Sequence, residues 1–152
     1  MISGMLETSG SPEATAENPA ETRVLFVDDE SSVCFVVSRM LGRMGYPVEV
    51  AASADEALAR VDDVDERGFG VIFVDINLGD DDGMELAAVL RQRCTGARLV
   101  AAGGDLSAPQ RRAMREGLFD GLLEKPFGME NLAVSLRESL AMATRRAASS
   151  GG

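Results

Sequence analysis

Four charged side chains stand where apolar runs of this sequence stop. Asp28 and Asp29 follow RVLFV (23–27), Asp75 follows GVIFV (70–74), and Lys125 comes one residue after FDGLL (119–123). Two like charges ~4 Å apart repel by on the order of 4 kcal/mol at an effective dielectric of ~20. Three gathered carboxylates therefore call for a cation, and a hard divalent ion suits them. Mg²⁺ is held through one or two carboxylates together with water and phosphate oxygens. A carboxylate is also a nucleophile toward phosphorus, giving an aspartyl-phosphate. That transfer needs positive charge on the equatorial oxygens. Lysine supplies it as a compact point charge on a flexible stem, whereas arginine is a rigid planar fork. Lys125 is the only lysine in 152 residues, and there is no histidine to act as base, metal ligand or phosphocarrier.

Each residue alone has a plainer explanation. Asp after a strand is commonly a turn residue or a cap, and Asp28–Asp29 can cap the helix that follows. Asp80, Asp81 and Asp82 read as a solvated acidic loop. The case for joint chemistry rests on the elements that position the four. RVLFV is a short buried-strand run. Ser31 to Met44 has helical spacing, with Val33, Val36, Val37, Met40, Leu41 and Met44 on a face expected in the core and Phe35 opposite, beside Ser31, Ser38 and Gly42. Gly45–Tyr46 ends that helix. PVEVAA (47–52) is a second strand, and Ser53 with Glu56 opens a helix to about Val61 in capping-box style. GVIFV is the third strand, followed by a loop and a helix from Met84 to about Arg93. ARLVAA (97–102) is the fourth strand, with a helix over 109–117. FDGLL is the fifth, and the last helix runs from Met129 to about Met142.

Strands alternating with helices imply an α/β fold, a doubly wound five-stranded parallel sheet covered on both faces. Right-handed crossovers leave the flavodoxin-like strand order 2-1-3-4-5 as the usual solution. Chemistry in such sheets sits beyond the carboxyl ends of the strands, which brings Asp28, Asp29, Asp75 and Lys125 around one crevice. Residues 1–22 and 144–152 lack periodicity and read as disordered ends around a domain at 23–143. The net charge of −10 argues against nucleic acid or an anionic membrane as partner. No transmembrane stretch or secretory leader is evident, and two cysteines, Cys34 and Cys94, fit a reduced cytoplasmic setting.

VLFVDDE, VIFVDINLGDDDG and EKPF resemble the signature stretches of response-regulator receiver domains, of the chemotaxis-regulator-like single-domain type. The resemblance covers about residues 23–141, with one apparent extra residue before the fifth strand. It implies that Asp75 accepts a phosphoryl group from a histidine kinase or histidine phosphotransfer protein. It also implies that Asp28, Asp29, Asp75 and the Asn77 carbonyl hold Mg²⁺, that Lys125 pairs with the phosphoryl oxygens, and that Lys125–Pro126 is cis. Such a domain catalyses its own phosphorylation and dephosphorylation without acting on a separate substrate. The readout half departs from the family pattern. The position of the usual Ser or Thr is Ala102, or Gly103 if the extra residue falls elsewhere, and the usual aromatic is Leu122. Coupling to the fourth helix should then be weak, or run through Gly103–Gly104. The resemblance further suggests Phe35, on the first helix, as a docking anchor for the donor.

The leading expectation is thus a stand-alone phosphoacceptor with an unidentified downstream protein target. A pseudo-receiver, binding proteins without phosphorylation, is the alternative. A phosphohydrolase similar to haloacid dehalogenases ranks last, because its second Asp would fall on Asn77, an amide that cannot act as acid or base.

Overall fold

The computed structural model describes residues 18–151, with side chains described through residue 142. Five parallel strands form one sheet: β1 (Val24–Val27), β2 (Val48–Ala51), β3 (Val71–Asp75), β4 (Arg98–Gly103) and β5 (Gly121–Glu124), in the order β2-β1-β3-β4-β5. The helices are α1 (Ser31–Arg43), α2 (Ala54–Asp63), α3 (Gly83–Arg93), α4 (Ala108–Arg115) and α5 (Met129–Gly151). This is the expected doubly wound, flavodoxin-like arrangement. β1 and β3 are buried along their whole length, as central strands covered on both faces must be. Alternate residues feed two cores. Leu25, Val27, Ile72, Val74, Leu99 and Ala101 point to one, and Val24, Phe26, Val71, Phe73 and Val100 to the other.

The expected apolar face of α1 holds only in part. Val37 and Leu41 are buried, and the third buried residue is Cys34, so the seam runs through 34, 37 and 41. Val36, expected in the core, is instead 46% exposed. It lies beyond the shoulder of that seam, on a groove shared with Phe127. Cys34, left out of the expected apolar face, lies on the buried seam instead. Gly45 ends the helix as expected, with φ of +94° and with the Tyr46 N–H returning to the Leu41 carbonyl at 3.0 Å.

Both ends depart from expectation. Residues 1–17 of the expected lead-in lie outside the described residues. Residues 18–22 are ordered: Asn18 caps a 3₁₀ turn at Pro19–Glu21, and Thr22 is buried. At the other end the backbone stays helical to Gly151, through most of the span read as a tail from residue 144. Alanine-rich sequence without a breaker before the final glycines permits that continuation.

The fifth strand starts two residues later than expected, because Asp120 has another task. Its buried carboxylate accepts the Leu99 N–H at 2.9 Å and pairs with Arg91 at 3.2 Å. Arg91 also donates to the Leu118 and Gly117 carbonyls, so α3 is fastened to the loop entering β5. Burial by itself would lift the Asp120 pKa, but the Leu99 and Arg91 bonds outweigh it and hold the carboxyl below its ordinary value. A carboxyl depressed on folding stabilises the protein above its unfolded pKa, about 3.9, and loses that contribution as pH falls toward the folded value. We therefore expect Asp120→Asn to cost about 1.5–3 kcal/mol at neutral pH. Urea unfolding should show the gap from wild type shrinking as pH is lowered below about 4.

Candidate functional site

β1 and β3 are paired in register, Val27 beside Val74, so the residues that follow them meet at one sheet end. Asp28 is fully buried and Asp75 nearly so, while Asp29 faces solvent. The two buried carboxylates use the same local motif. Asp28 Oδ1 accepts the Glu30 N–H at 2.9 Å, and Asp75 Oδ1 accepts the Asn77 N–H, also at 2.9 Å. Each is an Asx-type turn, so the plainer explanation of an Asp after a strand is correct as far as it goes. It accounts for one oxygen of each carboxylate. The other oxygens meet Lys125, whose Nζ lies 2.8 Å from Asp28 Oδ2 and 3.2 Å from Asp75 Oδ2. Glu30 is more distant from the ammonium, at 3.9 Å. One ligand oxygen from each of Asp28, Asp29 and Asp75 falls within 4.8 Å of the others.

The electrostatics follow from burial. Burial lifts the Asp75 pKa above its ordinary value, although the Asn77 N–H and Lys125 pull the other way. For Lys125 burial acts downward, but the hydrogen bonds and charges of Asp28 and Asp75 outweigh it, and its pKa is raised. The ammonium is thus firmly charged. Cys34 supports the site from below, its Sγ donating to the Asp28 carbonyl at 3.2 Å. Burial, with Asp28 beside it, pushes that thiol up to about 11, so it serves as a hydrogen-bond donor and not as a thiolate nucleophile.

The site thus gathers Asp28, Asp29, Asp75 and Lys125, with Asn77 at its rim. Lys125–Pro126 is cis, as the resemblance implied. Ala102 lies directly beside Asp75 in the sheet register, fully buried, with a methyl group where a hydroxyl would stand. Gly103 is no free hinge. It is the last residue of β4, its carbonyl accepts the Lys125 N–H at 2.9 Å, and a Cβ there would meet Ile76 at 2.9 Å. Leu122 sits in β5 beside Ala101, half-buried against the core. Phe35 is 63% exposed on α1, with the Arg39 guanidinium 5.7 Å from its ring centre.

Sequence reading missed the segment that closes the site. Asn77–Leu78 and Asp81–Asp82 pair as a small antiparallel ribbon, so the acidic stretch is exposed as expected but is also a built element. Asp82 caps α3 by accepting the Met84 N–H at 2.8 Å, and Asp81 accepts the Ala54 N–H at the start of α2, at 2.9 Å. The turn at Gly79, with φ of +57°, lies against Asp29. Gly83 is the tightest point. A Cβ there would stand 2.4 Å from the Asp75 carbonyl oxygen and 2.6 Å from the Ile76 Cα. The only signal in the sequence was the glycine ending INLGDDDG.

The structure is thus a flavodoxin-like doubly wound sheet with three clustered carboxylates and one lysine beyond its strand ends. The chain belongs to the response regulator receiver domain family, whose model matches residues 24–137. It is similar to the transcriptional regulatory protein TrcR of Mycobacterium tuberculosis, 34% identical over 115 residues, which cover 76% of this chain and 44% of the relative. The alginate biosynthesis transcriptional regulatory protein AlgB of Pseudomonas aeruginosa is 30% identical over 129 residues, 84% of this chain and 27% of the relative. The chain therefore spans less than half of these relatives. They are regulators of transcription, so an exclusion of nucleic acid does not fit them, and that expectation concerns the acidic receiver by itself. Among solved structures, a CheY-like receiver domain protein from Methanospirillum hungatei superposes with a TM-score of 0.75 at 26% identity, covering 82% of this chain and 98% of that one. The chemotaxis protein CheY4 of Vibrio cholerae gives 0.70 at 30% identity, covering 78% and 98%. Among the described residues no helix is long and apolar enough to cross a membrane.

The glycine contact yields a test. The atoms that Gly83→Ala would strike are backbone, which cannot rotate away, so the start of α3 and the end of β3 must part. We expect a loss of about 1–3 kcal/mol in urea unfolding, with the largest amide shifts at Asp75, Ile76 and Asn77.

Proposed function

We propose that Asp75 is the phosphoacceptor of this receiver, taking its phosphoryl group from the phosphohistidine of a histidine kinase or histidine phosphotransfer protein. The observation that carries the reading is the single ammonium of Lys125 held between Asp28 and Asp75, beside a third carboxylate. An oxygen of Asp75 attacks phosphorus, the phosphorus–nitrogen bond of the donor breaks, and its imidazole nitrogen leaves with the electron pair. Lys125 already touches the attacking carboxylate, so it can follow the charge as it spreads onto the phosphoryl oxygens without a new element moving in. The hard oxygen donors fit Mg²⁺, which Asp28, Asp29, Asp75 and the Asn77 carbonyl would hold and which would neutralise phosphoryl charge. A cytoplasmic setting goes with this chemistry and with the free thiols of Cys34 and Cys94.

The methyl of Ala102 favours a second reading, a pseudo-receiver that binds its target protein without phosphorylation. Mass spectrometry after incubation with acetyl phosphate and Mg²⁺ separates the two. We expect a gain of about 80 Da, one phosphoryl group, on Asp75. The gain should vanish in Asp75→Ala, and in Asp29→Ala most of the rate should go with its Mg²⁺ dependence. No labelling of the wild type would favour the pseudo-receiver.

The donor would dock on α1. A groove of about 470 Å³ runs from Lys125 past Pro126 and Phe127 to Val33, Val36 and Met40, and Phe35 and Val36 are exposed on the same helix. Large apolar side chains next to a phosphoacceptor suit the packing of another helix. Phe35→Ala should slow transfer from the cognate donor at least tenfold, about 1.4 kcal/mol. Acetyl phosphate labelling and melting temperature should stay near wild type. A fall of many degrees in melting temperature would make Phe35 a packing residue and remove the docking role.

A further inference from the structure

We propose that Gln110 is a positioning residue that couples occupancy of the carboxylate site to the N-terminus of α4, acting through Asn77. The inference rests on the phosphoacceptor reading above and names the route by which that site is read out. Gln110 Nε2 donates to Asn77 Oδ1 at 3.2 Å. The same side chain closes the capping box of α4. Its Oε1 accepts the Ser107 N–H at 2.8 Å, while Ser107 Oγ accepts the Gln110 N–H at 3.2 Å. The chemistry of the amide is thereby assigned: the oxygen must face the backbone N–H, which leaves the nitrogen to donate to Asn77. One carboxamide therefore joins the residue two places after Asp75 to the helix that follows β4.

Two further observations favour α4 as the element that answers. The ribbon over residues 77–82 also touches α2 through Asp81 and α3 through Asp82. Those helices are anchored, however: α3 buries Leu86, Ala87 and Leu90, and α2 buries Ala57. α4 has eight residues and none of them is buried, with Met114 alone packing partly against the core, so its position depends on few ties and shifts readily. The direct path from Asp75 along β4 lacks its hydroxyl, since Ala102 offers only a methyl. A tie shared by two sites is reciprocal: whatever occupancy does to Asn77 it does to α4, and fixing α4 alters affinity at the site by the same factor.

The test follows backbone amides of the full chain by NMR during titration with Mg²⁺ and then beryllofluoride. In the wild type, amides of Ala108–Arg115 should shift together with those around Asp28, Asp29 and Asp75. In Gln110→Met, site amides should keep responding while the α4 shifts fall about threefold or more, with the Mg²⁺ dissociation constant changed to a matching degree. Ser107→Ala, which weakens the cap and leaves the Gln110–Asn77 bond, should retain the α4 response. Asn77→Ala, which keeps the backbone carbonyl, should reproduce Gln110→Met, and the double variant should go no further. An α4 response of wild-type size in Gln110→Met overturns the inference while leaving the phosphoacceptor reading intact. So does an α4 that stays still in the wild type while the site responds. Silence of the amides around Asp28, Asp29 and Asp75 overturns both.

Discussion

Lys125 Nζ lies 2.8 Å from Asp28 and 3.2 Å from Asp75, and both carboxylates are almost wholly removed from solvent. Leaving such a charge buried without its partner costs about 3–5 kcal/mol. That requirement reaches far into the fold. β1 and β3 must be neighbours so that Asp28 and Asp75 meet, and β5 must run parallel at the sheet edge so that Lys125 arrives at the same end. The cores on the two faces then follow from covering a central pair of strands that is apolar throughout. Burial lifts Asp75 and lowers Lys125, and each repairs the other's loss, although only Lys125 comes out more strongly charged. The pair is poised: Asp75 is held in place by a cation that an arriving anion can share.

Legibility in the sequence tracked the range of the interaction. Strand ends were readable because apolar runs stop abruptly, and Asp28, Asp29, Asp75 and Lys125 mark those stops. The parallel alternation fixed the sheet order, and with it the meeting of residues as distant as 28 and 125. Bonds that cross between elements left no such mark. Nothing in the spacing of Asp81 or Gln110 says that they reach Ala54 or Asn77. Asp120 looked like part of a strand because its side-chain partners, Leu99 and Arg91, come from elsewhere. Val36 failed for the opposite reason. Periodicity ranks residues by hydropathy, while the packing of α1 ranks them by angle, and Cys34 lies on the buried seam.

The ribbon after β3 changes how the acidic stretch is understood. Asp81 and Asp82 are exposed beside an already acidic site. Spent as hydrogen-bond acceptors at the starts of α2 and α3, they meet backbone N–H groups and the positive ends of those helices. The same segment packs its turn against Asp29 and its glycine against the Asp75 carbonyl. The geometry of the carboxylate site and helix placement therefore share one short piece of chain. A receiver that lacks the hydroxyl beside Asp75 still has a mechanical connection from that residue to the surface.

The identity of the single lysine also finds its reason here. Asp28 Oδ2 and Asp75 Oδ2 belong to different strands, so they do not present the paired oxygens of one carboxylate that a guanidinium grips through two parallel bonds. An ammonium has three donors around one centre and no preferred plane. It can hold both oxygens at once and pass one donor to a new anion while keeping the other on Asp28. Arginine would have to rotate its whole fork to do this. In a chain whose other cations are all arginine, the position that bridges two separate buried carboxylates is the position that holds lysine.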